Sequence, residues 1–369
     1  MKKQIYTLAI LFGLLVNQVA FTCSSCYAAK LTRKQKKENM LLDVAKASFD
    51  EKQYDTAIEY YTKALHLNPD NAETYSKRGN AEFLSGKYKE AVVDYSKAIE
   101  LDPKRENLYY NRGIAKANLN AYSEVVDDYT KEIEINHENV NAYLNRGTTK
   151  VLMKDYDLAI EDFNKAIELD EKNELAYYNR GIAKRNKGDY KGAVEDYSKV
   201  IELDKNFNRA YFNRGIAKLG VKNYEDAILD FTKEIEINPK NDSAYYERAI
   251  VEENLEHNTS AIEDYTKAIE LNPKNSDYYY SRGTVISKTE GDLKQAEKDL
   301  NKAIELDVND AEKYLTRAVI FCKLELYLAA IDDLNMVIKL DPKNTQAYDL
   351  RSYAISSLNS VKTKEKSVR

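Results

Sequence analysis

The sequence predicts an all-α chain, a solenoid of paired helices stacked in one direction. Three observations predict it. A skeleton of about 34 residues recurs from Glu38 to Asn344, the period of small helical units that bury a core only by leaning on their neighbours. Within each period, apolar and aromatic residues return at helical spacing in two separate stretches. The few prolines punctuate the period: Pro103, Pro239, Pro273 and Pro342 each mark the end of a unit, where a proline stops a helix.

The front end lies outside that pattern. Lys2 and Lys3 precede an apolar run from Ile5 to Val16, interrupted by Tyr6, Thr7 and Gly13, and small and polar residues follow. That order is a signal peptide over residues 1–28, with cleavage after Ala28. The run is too short for a comfortable membrane span. Cys23 offers a second reading, a lipid-modified cysteine as in bacterial lipoproteins, although Ala20-Phe21-Thr22 departs from the usual motif before it; an uncleaved anchor is the third. The chain is therefore expected to be exported, to the periplasm, the cell surface or the medium. Cys23-Ser-Ser-Cys26 has redox or metal spacing, but it sits at the leader boundary with no helix or strand around it. Cys322 stands alone in a helical stretch and reads as a small buried hydrophobe.

A basic linker follows at 29–37. Nine repeats then run over 38–344, starting at Glu38, Ala72, Glu106, Val140, Glu174, Asn208, Asp242, Ser276 and Ala311. The eighth is one residue longer, near Glu290-Gly291. Residues 345–360 form half a repeat, the polar-faced cap that a stack needs at its end. A basic tail, 361–369, is expected to be disordered.

Each repeat reads as two helices. The first has Tyr at its fourth position, from Tyr75 to Tyr314, and Tyr348 in the cap. Four residues on stands Gly79, Gly113, Gly147, Gly181, Gly215 or Gly283, with Ala249 and Ala318 in the others. Glycine in a helix costs about 1 kcal/mol against alanine, so the row implies close approach of the second helix. Ala91, Ala159, Ala193, Ala227, Ala261, Ala296 and Ala330 sit at the matching level there, each followed one turn later by an aromatic or Leu.

This pattern of Tyr-x-x-Arg-Gly, then Ala-x-x-x-Tyr/Phe, then Ala and Pro, resembles the tetratricopeptide repeat family from Glu38 to about Ser360. The chain departs from the family in having Tyr for Trp, Arg for Leu before the Gly, and often Lys where the family has its first Tyr. The resemblance implies a right-handed superhelical solenoid of helix-turn-helix repeats, with a concave groove lined by first helices.

Two rows of polar residues stand out. Arg78, Arg112, Arg146, Arg180, Arg214, Arg248, Arg282 and Arg317 accompany Asp94, Asp128, Asp162, Asp196, Asp230, Asp264, Asp299 and Asp333, while the first repeat lacks both, having Val44 and Tyr60. Joint presence and absence predict a ladder of Arg–carboxylate bonds, within a repeat or to the next one. The cap's Arg351, with no Asp of its own, favours pairing back to Asp333.

The second row is Asn-Arg-Gly-x-x-Lys in repeats three to six, beginning at Asn111, Asn145, Asn179 and Asn213. By the resemblance, this Asn faces the groove and hydrogen-bonds the backbone of an extended peptide, since an amide both donates and accepts. The same carry-over adds Tyr110, Leu144, Tyr178 and Phe212, with Ile114, Ile182 and Ile216 one turn on. Four similar copies could also share these residues through duplication, of which Thr130 and Thr232, each opening TKEIEIN, are an echo. The groove places needed by a chaperone-tail clamp hold Leu42, Ser76, Asn141 and Asn145 with no matching basic set, so that subtype is excluded.

The chain carries 56 basic and 61 acidic residues, a formal charge of −5. The repeats have no basic stripe of the kind nucleic acid leaves. His66, His137 and His257 share neither face nor acid partner, and the repeats hold no phosphate loop, nucleophile elbow or metal spacing. The expectation is a non-enzymatic scaffold with no cofactor and no metal, binding a protein or peptide partner and touching a membrane only through a lipid on Cys23. The alternatives are a membrane-anchored lipoprotein that assists an envelope assembly, or a non-catalytic subunit of an enzyme complex.

Overall fold

The computed structural model describes residues 32–207, 209–289 and 291–368, with side chains of the last helix as far as 361. The expected leader, Cys23 and Cys26 lie outside the described residues. Those described form nineteen helices and no strand. In the first four repeats the pairs are α1 (Arg33–Asp50) with α2 (Tyr54–Leu67), α3 (Ala72–Leu84) with α4 (Tyr88–Leu101), α5 (Leu108–Ala117) with α6 (Tyr122–Ile135), and α7 (Val140–Leu152) with α8 (Tyr156–Leu169). Then come α9 (Glu174–Lys187) with α10 (Tyr190–Leu203), α11 (Ala210–Gly220) with α12 (Tyr224–Ile237), and α13 (Asp242–Asn254) with α14 (Asn258–Leu271). Repeats eight and nine are α15 (Ser276–Lys288) with α16 (Leu293–Leu306), and α17 (Ala311–Lys323) with α18 (Tyr327–Leu340). The cap is α19 (Thr345–Val368). The chain divides between Glu171 and Lys172 into two compact units, the first holding α1 to α8 and the second α9 to α19.

Both ends of the repeat array differ from expectation. α1 starts at Arg33, so the second half of the expected linker is helical. Thr32 starts it with a reciprocal cap, its hydroxyl accepting the Gln35 N–H while the Gln35 side chain accepts the Thr32 N–H. At the other end α19 continues past Ser360 to Val368, through the stretch expected to be disordered. Thr, Lys and Glu in that stretch carry no helix breaker, so the cap helix has no local reason to stop.

Local signals set the other boundaries. Asn71, Asn139 and Asn173 cap α3, α7 and α9, each accepting a backbone N–H from three residues on. Between the helices of eight of the nine pairs stands one left-handed residue: Lys52, Gly86, Asn120, Lys154, Gly188, Lys222, Glu256 or Glu325. Only two of these are glycine, the residue that adopts that conformation without strain. The extra residue of the eighth repeat lengthens the Arg-to-Asp spacing there from 16 to 17.

The glycine row answers to a different neighbour from the one expected. A methyl group on Gly147 would lie 2.8 Å from the Phe163 ring, and one on Gly113, Gly181 or Gly215 equally close to the ring of Tyr129, Tyr197 or Phe231. In these four repeats the partner is thus the second-helix aromatic, while in repeat eight, where Leu300 replaces the ring, the atom nearest a methyl on Gly283 is the Ala296 carbonyl oxygen at 3.1 Å. These rings are the largest wholly buried side chains, and each needs the space a Cβ would take. Of the fourth-position tyrosines, Tyr143 and Tyr314 are buried, but most are not. Tyr109, Tyr177 and Tyr211 are half-buried, each beneath the guanidinium three residues on, at 5.4 to 5.6 Å.

The TKEIEIN echo also has a structural cause. Glu132, wholly buried, accepts the backbone N–H of Asn107 at 2.8 Å and of Tyr110 at 3.3 Å. Asn107 is left-handed, with φ 66°, and α5 starts late, so its first amides have no local cap. Repeat six repeats the arrangement in part: Arg209 has φ 63°, α11 is short, and buried Glu234 accepts from Asn241.

Candidate functional site

From the second repeat on, a polar ladder holds the helices of each repeat together. Each ladder arginine grips the carboxylate of its own repeat with two bonds. Arg146 donates Nε to Asp162 Oδ2 at 3.0 Å and Nη2 to Oδ1 at 2.6 Å, and the same fork recurs from Arg78–Asp94 to Arg317–Asp333. The third nitrogen reaches back. Arg146 Nη1 donates to Thr130 Oγ1 at 3.0 Å on the preceding second helix, as Arg78 does to Thr62, Arg112 to Ser96 and Arg248 to Thr232. One planar group therefore ties three helices. The pairing is within the repeat, and the cap shows it: Arg351 donates to Asn335 Oδ1 at 2.8 Å and not to Asp333, which Arg317 already holds.

The lysine of Asn-Arg-Gly-x-x-Lys joins the same ladder. Lys116, Lys150, Lys184 and Lys218 lie 2.8 to 3.0 Å from Asp128, Asp162, Asp196 and Asp230. These four buried carboxylates thus have two cations each. Repeat two puts Glu82 at that position, beside Asp94. Burial, then the Asp94 charge, pushes its carboxyl up to about 8, and its Oε2 has no hydrogen-bond partner.

The predicted groove residues divide into used and available. Successive first helices touch one another in each unit, α3 with α5 and α9 with α11. In the first unit Asn145 Nδ2 donates to Tyr110 OH at 3.1 Å. Burial raises the Tyr110 pKa, so the hydroxyl keeps its proton. Asn145 Oδ1 has no partner among the described residues, and Tyr110 and Asn145 are both half-buried. Leu144, however, is buried at 6 % exposure and offers no surface.

In the second unit Asn213 Nδ2 donates to Tyr178 OH at 2.8 Å and to the Arg209 carbonyl at 3.1 Å, while its Oδ1 accepts from Arg185 at 2.7 Å. Asn213 is buried and its bonding capacity is filled by the fold, so it is withdrawn from the surface. Tyr178, Asn179, Ile182, Phe212 and Ile216 are half-buried. Tyr178 packs on Phe207 at 5.0 Å and Phe212 on Phe231 at 5.8 Å between ring centres.

A cavity of about 250 Å³ in the first unit was not expected. Phe49, Asn80, Phe83, Leu84, Tyr95, Asn111 and Ile114 line it. Asn80 Oδ1 accepts from Tyr95 OH at 2.7 Å and, at 3.5 Å, from Asn111 Nδ2. That leaves Asn80 Nδ2 and Asn111 Oδ1 without partners among the described residues. A second cavity, of about 310 Å³, shares Phe49 and Asn80 and adds Lys46, Asp50, Tyr61 and Lys77. The clue was in the sequence: Phe stands at the twelfth position of the first two repeats alone. It packs there against the Tyr that opens the next helix, Phe49 on Tyr54 at 5.6 Å and Phe83 on Tyr88 at 5.4 Å.

Among the described residues no group of His, Cys, Asp and Glu is placed to hold a metal ion, and no helix is long and apolar enough to cross a membrane.

Sequence models described as TPR repeat match residues 45–83 and 79–120, and models described as tetratricopeptide repeat match 140–173, 175–207, 242–275 and 264–298. Together they span more than half of the chain. Comparison with curated proteins gives no match. Among solved structures, the chain is similar to a tetratricopeptide repeat protein from Parabacteroides merdae ATCC 43184, at 20% identity and a TM-score of 0.51, covering 64% of this chain and 94% of that one. It is similar to PilF of Pseudomonas aeruginosa at 17% identity and a TM-score of 0.50, covering 58% and 97%. YrrB, described as a TPR protein with an unusual peptide-binding site, gives 24% identity and a TM-score of 0.47 over 52% and 99%. These likenesses concern the fold. A stack of such repeats is a scaffold for protein–protein contact.

Proposed function

The chain belongs to the tetratricopeptide repeat family, and from that premise we propose that it is an exported scaffold that binds an extended peptide segment along the first helices. The observation that carries this reading is the cavity between the first helices of repeats one to three. Its walls are mostly apolar, and two amides among them, Asn80 and Asn111, each keep one group without a partner among the described residues. An extended peptide needs both features: a donor and an acceptor for its backbone, and a dry recess for a side chain. Of the residues expected from sequence, Asn111 and Ile114 line this recess, and Tyr110 and Asn145 continue the same wall. Tyr178, Asn179, Ile182, Phe212 and Ile216 are proposed as a second contact area, in the second unit.

The test is direct. Peptides selected from a random display library on the full chain are measured against variants by fluorescence anisotropy. Asn111→Ala and Ile114→Ser are expected to weaken binding about tenfold, as losing a satisfied amide or a recess-lining side chain does. Val93→Ser, on an outer position that is 66% exposed, is the control. No enriched peptide, or equal loss in the control, removes the proposal.

Export rests on the leader pattern of residues 1–28. Mass spectrometry of the mature amino terminus discriminates its two forms: a free Ala29 supports a soluble exported protein, and a diacylated Cys23 supports a lipoprotein.

A further inference from the structure

We propose that the terminal half-repeat is a docking site for an amphipathic helix of another protein, which completes it as a second helix completes each full repeat. The site is separate from the peptide wall. α19 carries the first-helix pattern: Tyr348 at the fourth position, Arg351 at the seventh, the small Ser352 at the eighth and Ile355 at the eleventh. In repeat nine the same places hold Tyr314, Arg317, Ala318 and Phe321, and α18 covers them. Tyr314 and Phe321 are each 8% exposed there, and Ala318 is wholly buried. On α19 the equivalents are open, with Tyr348 at 39% and Ile355 at 43%.

Arg351 carries the argument beyond an uncovered apolar face. Its Nη1 donates to Asn335 at 2.8 Å, as Arg317 Nη1 donates to Asn301 at 2.7 Å. Its guanidinium lies 5.4 Å over the Tyr348 ring, as those of Arg112, Arg180 and Arg317 lie over Tyr109, Tyr177 and Tyr314. The group is therefore held as its counterparts are. Yet Nε and Nη2, which grip an aspartate in every full repeat from the second on, find no carboxylate among the described residues. A fixed, charged fork with a vacant bidentate position specifies its ligand.

The occupant follows from the eight filled examples. It is a helix presenting a small residue, an aspartate three residues later and a large apolar residue next, as Ala330, Asp333 and Leu334 do. Among the described residues the chain does not supply it. Its own continuation extends α19 to Val368, and every ladder aspartate is already held by an arginine of its own repeat. A second copy has no spare helix of this kind among the described residues.

A stapled, labelled peptide with the sequence of residues 327–340 is the probe, titrated against the full chain by fluorescence anisotropy. Saturable binding is expected. Arg351→Gln in the protein and Asp333→Asn in the peptide should each weaken it tenfold or more, with little further loss when combined, because both remove one contact. Ile355→Glu gives the same loss through the apolar part of the face, while circular dichroism confirms that the variants stay folded. Absence of binding, or binding indifferent to Arg351→Gln, overturns the proposal. So does a wild-type dimer that Arg351→Gln dissociates, since a second copy would then occupy the face.

Discussion

Glu82 should make repeat two weaker as pH rises, and replacing it by lysine should cure the defect. In repeats three to six the position holds a lysine within 3.0 Å of the ladder aspartate. In repeat two it holds a buried carboxyl whose nearest approach to Arg78 Nε is 3.9 Å and which shares its surroundings with Asp94. Its pKa, about 8 in the fold, is above the ordinary 4.5, so the unfolded chain releases that proton first. Stability present below pH 4.5 is therefore lost as pH rises through 8. A shift of that size is worth at most about 4–5 kcal/mol at full ionisation. Repeat arrays open locally, so a global melting curve dilutes the effect. Amide hydrogen exchange of α3 and α4, corrected for intrinsic rates, isolates it, with α7 and α8 as the internal standard. Protection in α3 and α4 should fall between pH 5 and pH 9 by several kcal/mol more than in α7 and α8. Glu82→Gln should flatten the difference. Glu82→Lys should raise protection at pH 8 by about 1.5–3 kcal/mol, the range for a hydrogen bond to a charged group. Equal pH dependence in both pairs, or a loss of protection in Glu82→Lys, refutes the reasoning.

Three further outcomes follow from the packing. Arg146→Leu leaves Asp162 buried with Lys150 alone and should cost about 3–5 kcal/mol in urea unfolding; a cost under about 1 would reduce the ladder to decoration. Gly147→Ala drives a methyl into the Phe163 ring and should cost about 1–3 kcal/mol. Adding Phe163→Leu should recover part of it, since Ala318 and Leu334 already pack together in repeat nine; strict additivity of the two losses would contradict the contact. Lys154 has φ 66° at the turn between α7 and α8, so Lys154→Gly should stabilise by about 0.5–1 kcal/mol in thermal unfolding, and destabilisation would count against that turn.

Much of the fold was legible because repetition averages out local ambiguity. Nine copies of one pattern locate helix pairs that a single copy would leave uncertain. The Arg and Asp rows were legible because they vanish together in repeat one. Their third partner was not. Thr62, Ser96, Thr130 and Asn301 occupy one register, but the position accepts any small acceptor, so no single residue type marks it. The glycine row was read correctly as a sign of close approach, yet period alone cannot say which side chain fills the space, and the ring one turn beyond the alanine does. The role of Asn213 was illegible for a related reason. An amide at a groove position can serve a ligand or the fold, and in Asn213 a neighbouring arginine, absent from the motif, decides for the fold. The cavity at Phe49 and Phe83 was not legible because it depends on a residue that breaks the pattern in two repeats.

Photo-crosslinking tests the central claim most directly, that the first-helix wall is the working surface. With p-benzoylphenylalanine in place of Ile114 or of Val93, the Ile114 position should cross-link to one extended segment of a selected peptide or native partner, while the outward Val93 position should not. Cross-links confined to Val93, or equal from both faces, would contradict the account.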